Sequence, residues 1–549
     1  VSEAKSQPAS PWLFGPARDL LLGCGLLYVV AFVALVAAGG AVRSVLPLGL
    51  AILPITFLSL PHYGATILRA YGSAEDRRRY RFFTVGVTAL LVALFAWSVH
   101  DLRVGSIFAT VYITWSPWHY AGQNFGVGMM FLRRRGVEVT PWTRRLVWWS
   151  FALSYALTFL ALHGAARGAS YAPDEFDGTA LEFRSLGVTL GIPYDVQSAA
   201  MIAVATAYAA ATIAAFALLA RRTPARNLVP LAVLVVTQAL WFTVPTLARH
   251  AGRLGGVDPF STEHAHYVFI WIASAHAVQY LWITSYYAVR SGGVRRHARF
   301  LGGSLLAGAA AWTLPALVFA PGALGRLPYD YGLALTVSAF VNLHHFVLDG
   351  AIWKLRDGRI ARILLGGATG EAGAPVRPAL VRTAAAVGAL CLAVTLYAGI
   401  ETESGFNAAL ERGDVARADA SMRRLSWIGR DGSEMHLRLA EKADGAGDER
   451  GAMTHYRESI RRWPTTWAWI GLGRLHARRD DWKTASADLD EALALEPDHA
   501  VALMYSGVAA FELGRNDEGR EKLLHARATV QRPEVADEIE RVMRQYGVE

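Results

Sequence analysis

Charge is scarce in this chain. Only 18% of its 549 residues are Asp, Glu, Lys or Arg, against 53% hydrophobic residues and a mean hydropathy of +0.27. A soluble protein of this size carries far more polar surface, so the composition places the chain among membrane proteins. Cysteine is nearly missing. Cys24 and Cys391 both fall inside apolar runs, which gives neither a disulfide framework nor a thiolate metal cluster. No P-loop and no GxGxxG on a strand occurs, so coupling to ATP or NAD within the chain is not expected. The first residues, VSEAKSQPASPW, lack the basic segment of a secretory signal, and no small-residue cleavage site follows the first apolar run.

What the chain does have is long apolar runs. A bilayer crossing needs about 20 residues. Such runs fall at roughly 20–40, 44–67, 83–100, 104–131, 146–163, 196–220, 228–249, 264–289, 300–320, 331–353 and 380–400, which predicts eleven spans. Alternate connectors are strongly basic, among them RAYGSAEDRRRYR, RRRGVEVTPWTRR and RSGGVRRHAR. The others are almost free of Lys and Arg, or acidic, as around Asp174 to Phe183. Every basic connector falls on one side if the N-terminus is cytoplasmic, as the positive-inside rule requires. The formal charge of +9 therefore points to membrane topology and not to nucleic acid. The expectation is an all-α, polytopic bundle in a bacterial inner membrane. Residues 1–19 form a cytoplasmic segment, 20–400 the bundle, and 401–549 a domain outside the cytoplasm, in the periplasm of a Gram-negative cell.

Ionisable residues inside spans are costly and usually face the bundle interior. Here span two ends in LSLPHYGATILRAY with His62, and span four carries TWSPWHYAGQNFG with His119 and Gln123. Span eight holds His276 and Gln279, and span ten holds His344, His345 and Asp349. At 1.5 Å per residue, His62 lies roughly 9 Å and His345 roughly 12 Å from the cytoplasmic end, with His119 and His276 about 20 Å in. Four spans distant in sequence thus bring imidazole to the central-to-cytoplasmic part of the bilayer. Three have a polar residue one turn away on the same face: Gln123, Gln279 and Asp349. Such a group can fix the tautomer and orientation of a ligand imidazole.

Taken singly, an intramembrane histidine is more often an interhelical hydrogen-bonding residue. Taken together, the common depth points to a metal site drawing on His62, His119, His276, His344 and His345. His344 points about 100° away from His345 on a helix, so both need not be ligands. Imidazole with a carboxylate nearby suits iron, zinc or copper. The aromatic surroundings (Trp115, Trp118, Tyr120, Tyr280, Trp282 and Phe346) suit an apolar substrate and favour an oxygen-using iron site. At the outer end of span eight, Glu263, His264 and His266, with His250 from the preceding span, read as an interfacial polar cluster. A second, outward-facing metal or proton-entry site is the minority reading.

After residue 401 the pattern changes. WAWIGLGRLHARRDDWKTASADLDEALALEPDHA places Gly473, Ala485, Ala492 and Pro497 at offsets that resemble the tetratricopeptide repeat, and Gly507, Gly519 and Ala526 stand 34 residues further on. The resemblance implies stacked helix pairs, two to four of them, whose surface could recruit a periplasmic protein.

Together, LPHYGAT, WHYAGQNFG, SAHAVQYLW and HHFVLDGAIWK resemble segments of the bacterial carotenoid-cleaving oxygenases of the Brp/Blh type (β-carotene 15,15′-dioxygenase). The resemblance implies iron held by histidines on separate helices. His62 is the best match, followed by His119, His276 and His345. This chain departs from that family in its greater length and its repeat-like tail. Membrane desaturases and sterol hydroxylases fit worse, because no HxxxH or HxxHH box occurs. A multi-span glycosyltransferase needs an acidic pair in a large first external loop, where this chain has only GGAVR. The resulting expectation is a membrane metal-dependent oxidoreductase acting on a lipid or carotenoid-like substrate. Two alternatives stand beside it. One is a haem b electron carrier with His119 and His276 as axial ligands, and the other is a non-enzymatic transporter or assembly scaffold that recruits its partner through the repeats.

Overall fold

A computed structural model describes residues 10–38, 52–164, 189–255, 262–292, 296–353, 358–366, 378–530 and 532–548. Among them every regular element is helical, with no strand. The chain divides into two compact units. One comprises Val1–Phe319 with Ala334–Leu396, and the other Ala320–Leu333 with Tyr397–Glu549. The short segment 320–333, expected within the bundle, thus belongs to the C-terminal unit. The acidic connector at Asp174–Phe183, the connector GGAVR and the basic residues Lys354 and Arg356 that follow the His345 helix in sequence lie outside the described residues.

Seven helices among the described residues are long and apolar enough to cross a membrane, or eight if the pair Pro16–Gly23 and Leu26–Ala34, bent by 60°, counts as one span. That is fewer than the eleven expected. The difference has a physical reason. Leu60–Tyr71, Leu102–Arg134 and Thr262–Arg290 are helices at three of the expected positions, but their polar side chains dilute the apolar run. These are the helices that carry His62, His119 and His276.

Close backbone contact sets the position of the His62 helix. A β-carbon at Gly64 would stand 1.8 Å from the Ser304 carbonyl oxygen, and one at Gly308 would stand 1.7 Å from that of Leu60. Helices Leu60–Tyr71 and His297–Val318 therefore touch backbone to backbone, as small residues allow between membrane helices. A π-helical turn, Ile55–Ser59, precedes Pro61. Proline lacks the N–H that would continue the regular ladder, so the irregular turn lies just before the histidine. Pro117 lies inside the continuous helix Leu102–Arg134, two residues before His119.

In the C-terminal unit, helices start at Ser433, Thr466, Ala500 and Pro533, alternating with helices that start at Glu449, Trp482 and Asn516. The turns recur with them. Gly413, Gly447 and Gly514 adopt positive φ, and Asp480 occupies the same place at φ 59°. Asp414, Asp448 and Asp481 then cap the next helices by accepting from the N–H groups of Arg417, Gly451 and Thr484. The small residues lie where helices meet: a β-carbon at Gly473 would reach within 2.8 Å of Leu489.

Candidate metal centre

Four imidazoles from four helices meet in the bundle. His345 Nε2 lies 2.9 Å from His62 Nε2 and 3.2 Å from His119 Nε2. The His276 ring centroid is 4.8 Å from that of His62 and 5.1 Å from that of His119. His62, His276 and His345 are at most 3% exposed, and the His119 side chain is 8% exposed. Four histidines distant in sequence are therefore brought to one position. His344 stands apart: its Nε2 meets Tyr71 Oη at 3.0 Å and Thr88 Oγ1 at 3.2 Å, with the Tyr71 ring stacked on it.

The protonation pattern of His345 follows from a chain of single protons. Tyr280 Oη donates to Asp349 Oδ1 at 2.7 Å. Its one proton used, the Tyr280 oxygen must accept from Thr66 Oγ1 at 2.7 Å, and it also accepts from Trp353 Nε1 at 3.1 Å. Thr66 has one hydroxyl proton. Having given it to Tyr280, Thr66 must accept from His345 Nδ1, 2.7 Å away. With Asp349 ionised, this chain leaves His345 protonated at Nδ1 and bare at Nε2, the nitrogen facing His62 and His119. A carboxylate thus sets the tautomer of the central imidazole through two hydroxyls. This is the role expected of Asp349, carried out across helices instead of along its own.

Gln123 and Gln279 do not serve their own histidines as expected. Gln123 Nε2 donates to Gln279 Oε1 at 2.6 Å, and Gln279 Nε2 donates to Gly23 O and to Asn124 Oδ1. Asn124 in turn donates to Gln238 at 2.8 Å. These amides tie helices to one another, because an amide finds a stronger partner in another amide across the bundle than in a neighbouring ring on its own helix. Both ring nitrogens of His276, and Nδ1 of His62, are buried without a hydrogen-bond partner.

Aromatic rings hold the cluster. Tyr120 stacks on His276 with centroids 3.8 Å apart, and Phe346 stacks on His119 at 4.5 Å. Trp115 contacts Phe346. Trp118 and Trp282, expected in the same wall, pack elsewhere, against Trp148 and Phe131 respectively. Of the outer polar group, His250 Nε2 lies 3.1 Å from Ser198 Oγ. Glu263, His264 and His266 fall outside the residues whose side chains are described.

The donor set fits a metal ion. The ligand atoms of His62, His276 and His345 all lie within 4.8 Å of one another, as do those of His119, His345 and Asp349. Nitrogens bound at about 2.0–2.1 Å to one ion stand about 3 Å apart when adjacent, and the 2.9 and 3.2 Å separations match that spacing. Two buried nitrogens turned on the bare Nε2 of a third are hard to satisfy by hydrogen bonding alone, since one lone pair cannot serve both. His119 Nε2 is also 3.9 Å from Asp349 Oδ2, which puts a carboxylate beside the imidazoles.

Sequence reasoning missed Thr66, and it placed Tyr280 only in the aromatic wall, not in the hydrogen-bond chain to His345. The signal was present. Thr66, Gln123, Tyr280 and Asp349 each stand four residues after one of the clustered histidines, on the same helical face. No known protein family matches the chain, and no curated protein matches it.

Proposed function

We propose that the chain is an integral-membrane, metal-dependent oxidoreductase that holds a transition ion, iron in preference to zinc or copper, among His62, His119, His276 and His345. The observation that carries this reading is the convergence of four buried imidazoles from four helices, two of their Nε2 atoms within 3.2 Å of the bare Nε2 of His345. An imidazole-bound iron supplies oxygen and one-electron chemistry. The apolar rings of Tyr120 and Phe346 exclude water and favour a lipid-soluble substrate such as a polyene. Thr66, Tyr280 and Asp349 keep His345 in its Nδ1–H form, so that Nε2 is available as a donor. The haem alternative names His119 and His276, whose ring centroids stand 5.1 Å apart; the close nitrogen contacts instead join His345 to His62 and to His119, which favours an ion held among several imidazoles.

The recurring helix starts and capped turns of 413–529 support a tetratricopeptide-type reading of the C-terminal unit. In the proposed topology that unit faces the periplasm and offers a face to a protein partner. The metal proposal is tested on protein purified in detergent from iron-supplemented cells. About one equivalent of metal per chain is expected in the wild type, on a four-ligand site, and none in His62→Ala or His345→Ala variants of unchanged helicity. A metal-free wild type, or undiminished metal in both variants, overturns it.

A further inference from the structure

A groove of about 770 Å³ lies away from the histidines and is lined by Phe125, Met129, Val137, Val139 and Trp148, together with Arg133, Arg144 and Arg145. It has a polarity gradient. Phe125, Met129 and Arg133 follow one another at four-residue intervals on one helix, so they form a single ridge. Arg144 and Trp148 form a matching ridge on the helix Pro141–Leu162. Both ridges run from apolar to cationic in the same direction. On the first, Phe125 and Arg133 are about 12 Å apart along the axis.

Among the described residues, Arg133, Arg144 and Arg145 form no ion pair, and neither does Glu138, the carboxylate in the connector between the two helices. Arg145 instead lies 5.3 Å from the Trp142 ring. No acidic residue occupies the first turn of Pro141–Leu162. Two arginines follow closely there, where positive charge works against the helix dipole, so helix stability does not explain them. Trp142 and Trp149 are exposed beside them, as aromatic rings at a membrane surface are.

We propose that this groove binds an anionic phospholipid, its phosphate among Arg133, Arg144 and Arg145 and an acyl chain against Phe125, Met129 and Trp148. Charge complementarity selects the anionic headgroup, and the apolar floor selects an attached hydrocarbon over a free phosphate. The proposal rests on none of the metal ligands, so the two readings fail separately.

The test adds dioleoyl phosphatidylglycerol, dioleoyl phosphatidylcholine or glycerol phosphate to the full chain in detergent, reading lipid occupancy by native mass spectrometry and Tm. Phosphatidylglycerol is expected to remain bound and to raise Tm, while the other two do neither. The R133Q/R144Q/R145Q variant, with unchanged metal content and helicity, should bind phosphatidylglycerol about a hundredfold more weakly, at about fivefold per arginine. The R133K/R144K/R145K variant should retain most of the binding. Equal binding of the two lipids, an equal Tm shift from glycerol phosphate, or wild-type binding by the glutamine variant overturns the proposal.

Discussion

At the scale of single residues, the decisive feature is a proton chain that ends on His345. Thr66 is needed as a hydroxyl that gives its proton to Tyr280 and accepts from His345 Nδ1. Thr66→Val keeps the shape but removes the acceptor, leaving a buried N–H without a partner. Its metal affinity, measured by chelator competition, should fall by about 10- to 100-fold, with Thr66→Ser close to wild type. Tyr280→Phe should behave like Thr66→Val. If instead all three variants bind metal alike, the tautomer is set by something else. Nitrogen NMR of His345 gives a second readout, expected to report Nδ1–H in the wild type and a tautomer mixture in Thr66→Val.

Two residues of the C-terminal unit give a pH signature of their own. Burial, and after it the charge of Arg462, holds the His436 imidazole down to about 3. Unfolded, it takes up a proton at about 6.5. The folded form therefore loses stability as pH falls from about 6.5 toward 3. His436→Leu should flatten that acid limb. Glu434 acts in the opposite sense. Burial, and then the neighbouring Asp330, push its carboxyl up to about 7. Its contribution is present at low pH and is lost as pH rises from about 4.3 through 7. Glu434→Gln should remove that loss, read as Tm against pH for the unfolding of this unit.

At the scale of helices, the site depends on how closely two of them approach. Gly64→Ala or Gly308→Ala would force a methyl into a backbone oxygen less than 2 Å away. Such overpacking costs about 3 kcal/mol and pushes the His62 helix outward. Loss of metal together with a lowered Tm is expected; unchanged metal content would mean that His62 is held by other contacts. Much of this level was legible in the sequence. Helix positions followed from apolar runs, and the placement of four histidines on four separate helices followed from the same runs. The span count did not follow, because a helix buried among others can carry polar residues that hydropathy counts against it. Nor did the hydrogen-bond partners. Gln123 and Gln279 stand one turn from histidines, yet they bond to each other, since partner choice depends on which neighbouring helix faces each side chain. In the C-terminal unit the 34-residue spacing was readable, and the helix starts at Thr466 and Ala500 keep to it.

For the molecule as a whole, a bundle with few charges concentrates its polar chemistry at one point, and the helices least suited to lipid are those that supply it. His62, His119 and His276 lie on helices diluted by polar residues, and only His345 lies on one apolar enough to cross alone. In the proposed membrane setting, an apolar shell around a polar core explains both facts. The most direct measurement is X-ray absorption at the metal edge of the purified, iron-supplemented protein. The account predicts a first shell of three or four nitrogens at about 2.0–2.2 Å with the outer scattering of imidazole rings, diminished in His276→Ala. Protein without bound metal, or a first shell of sulfur or of porphyrin nitrogen, would contradict it.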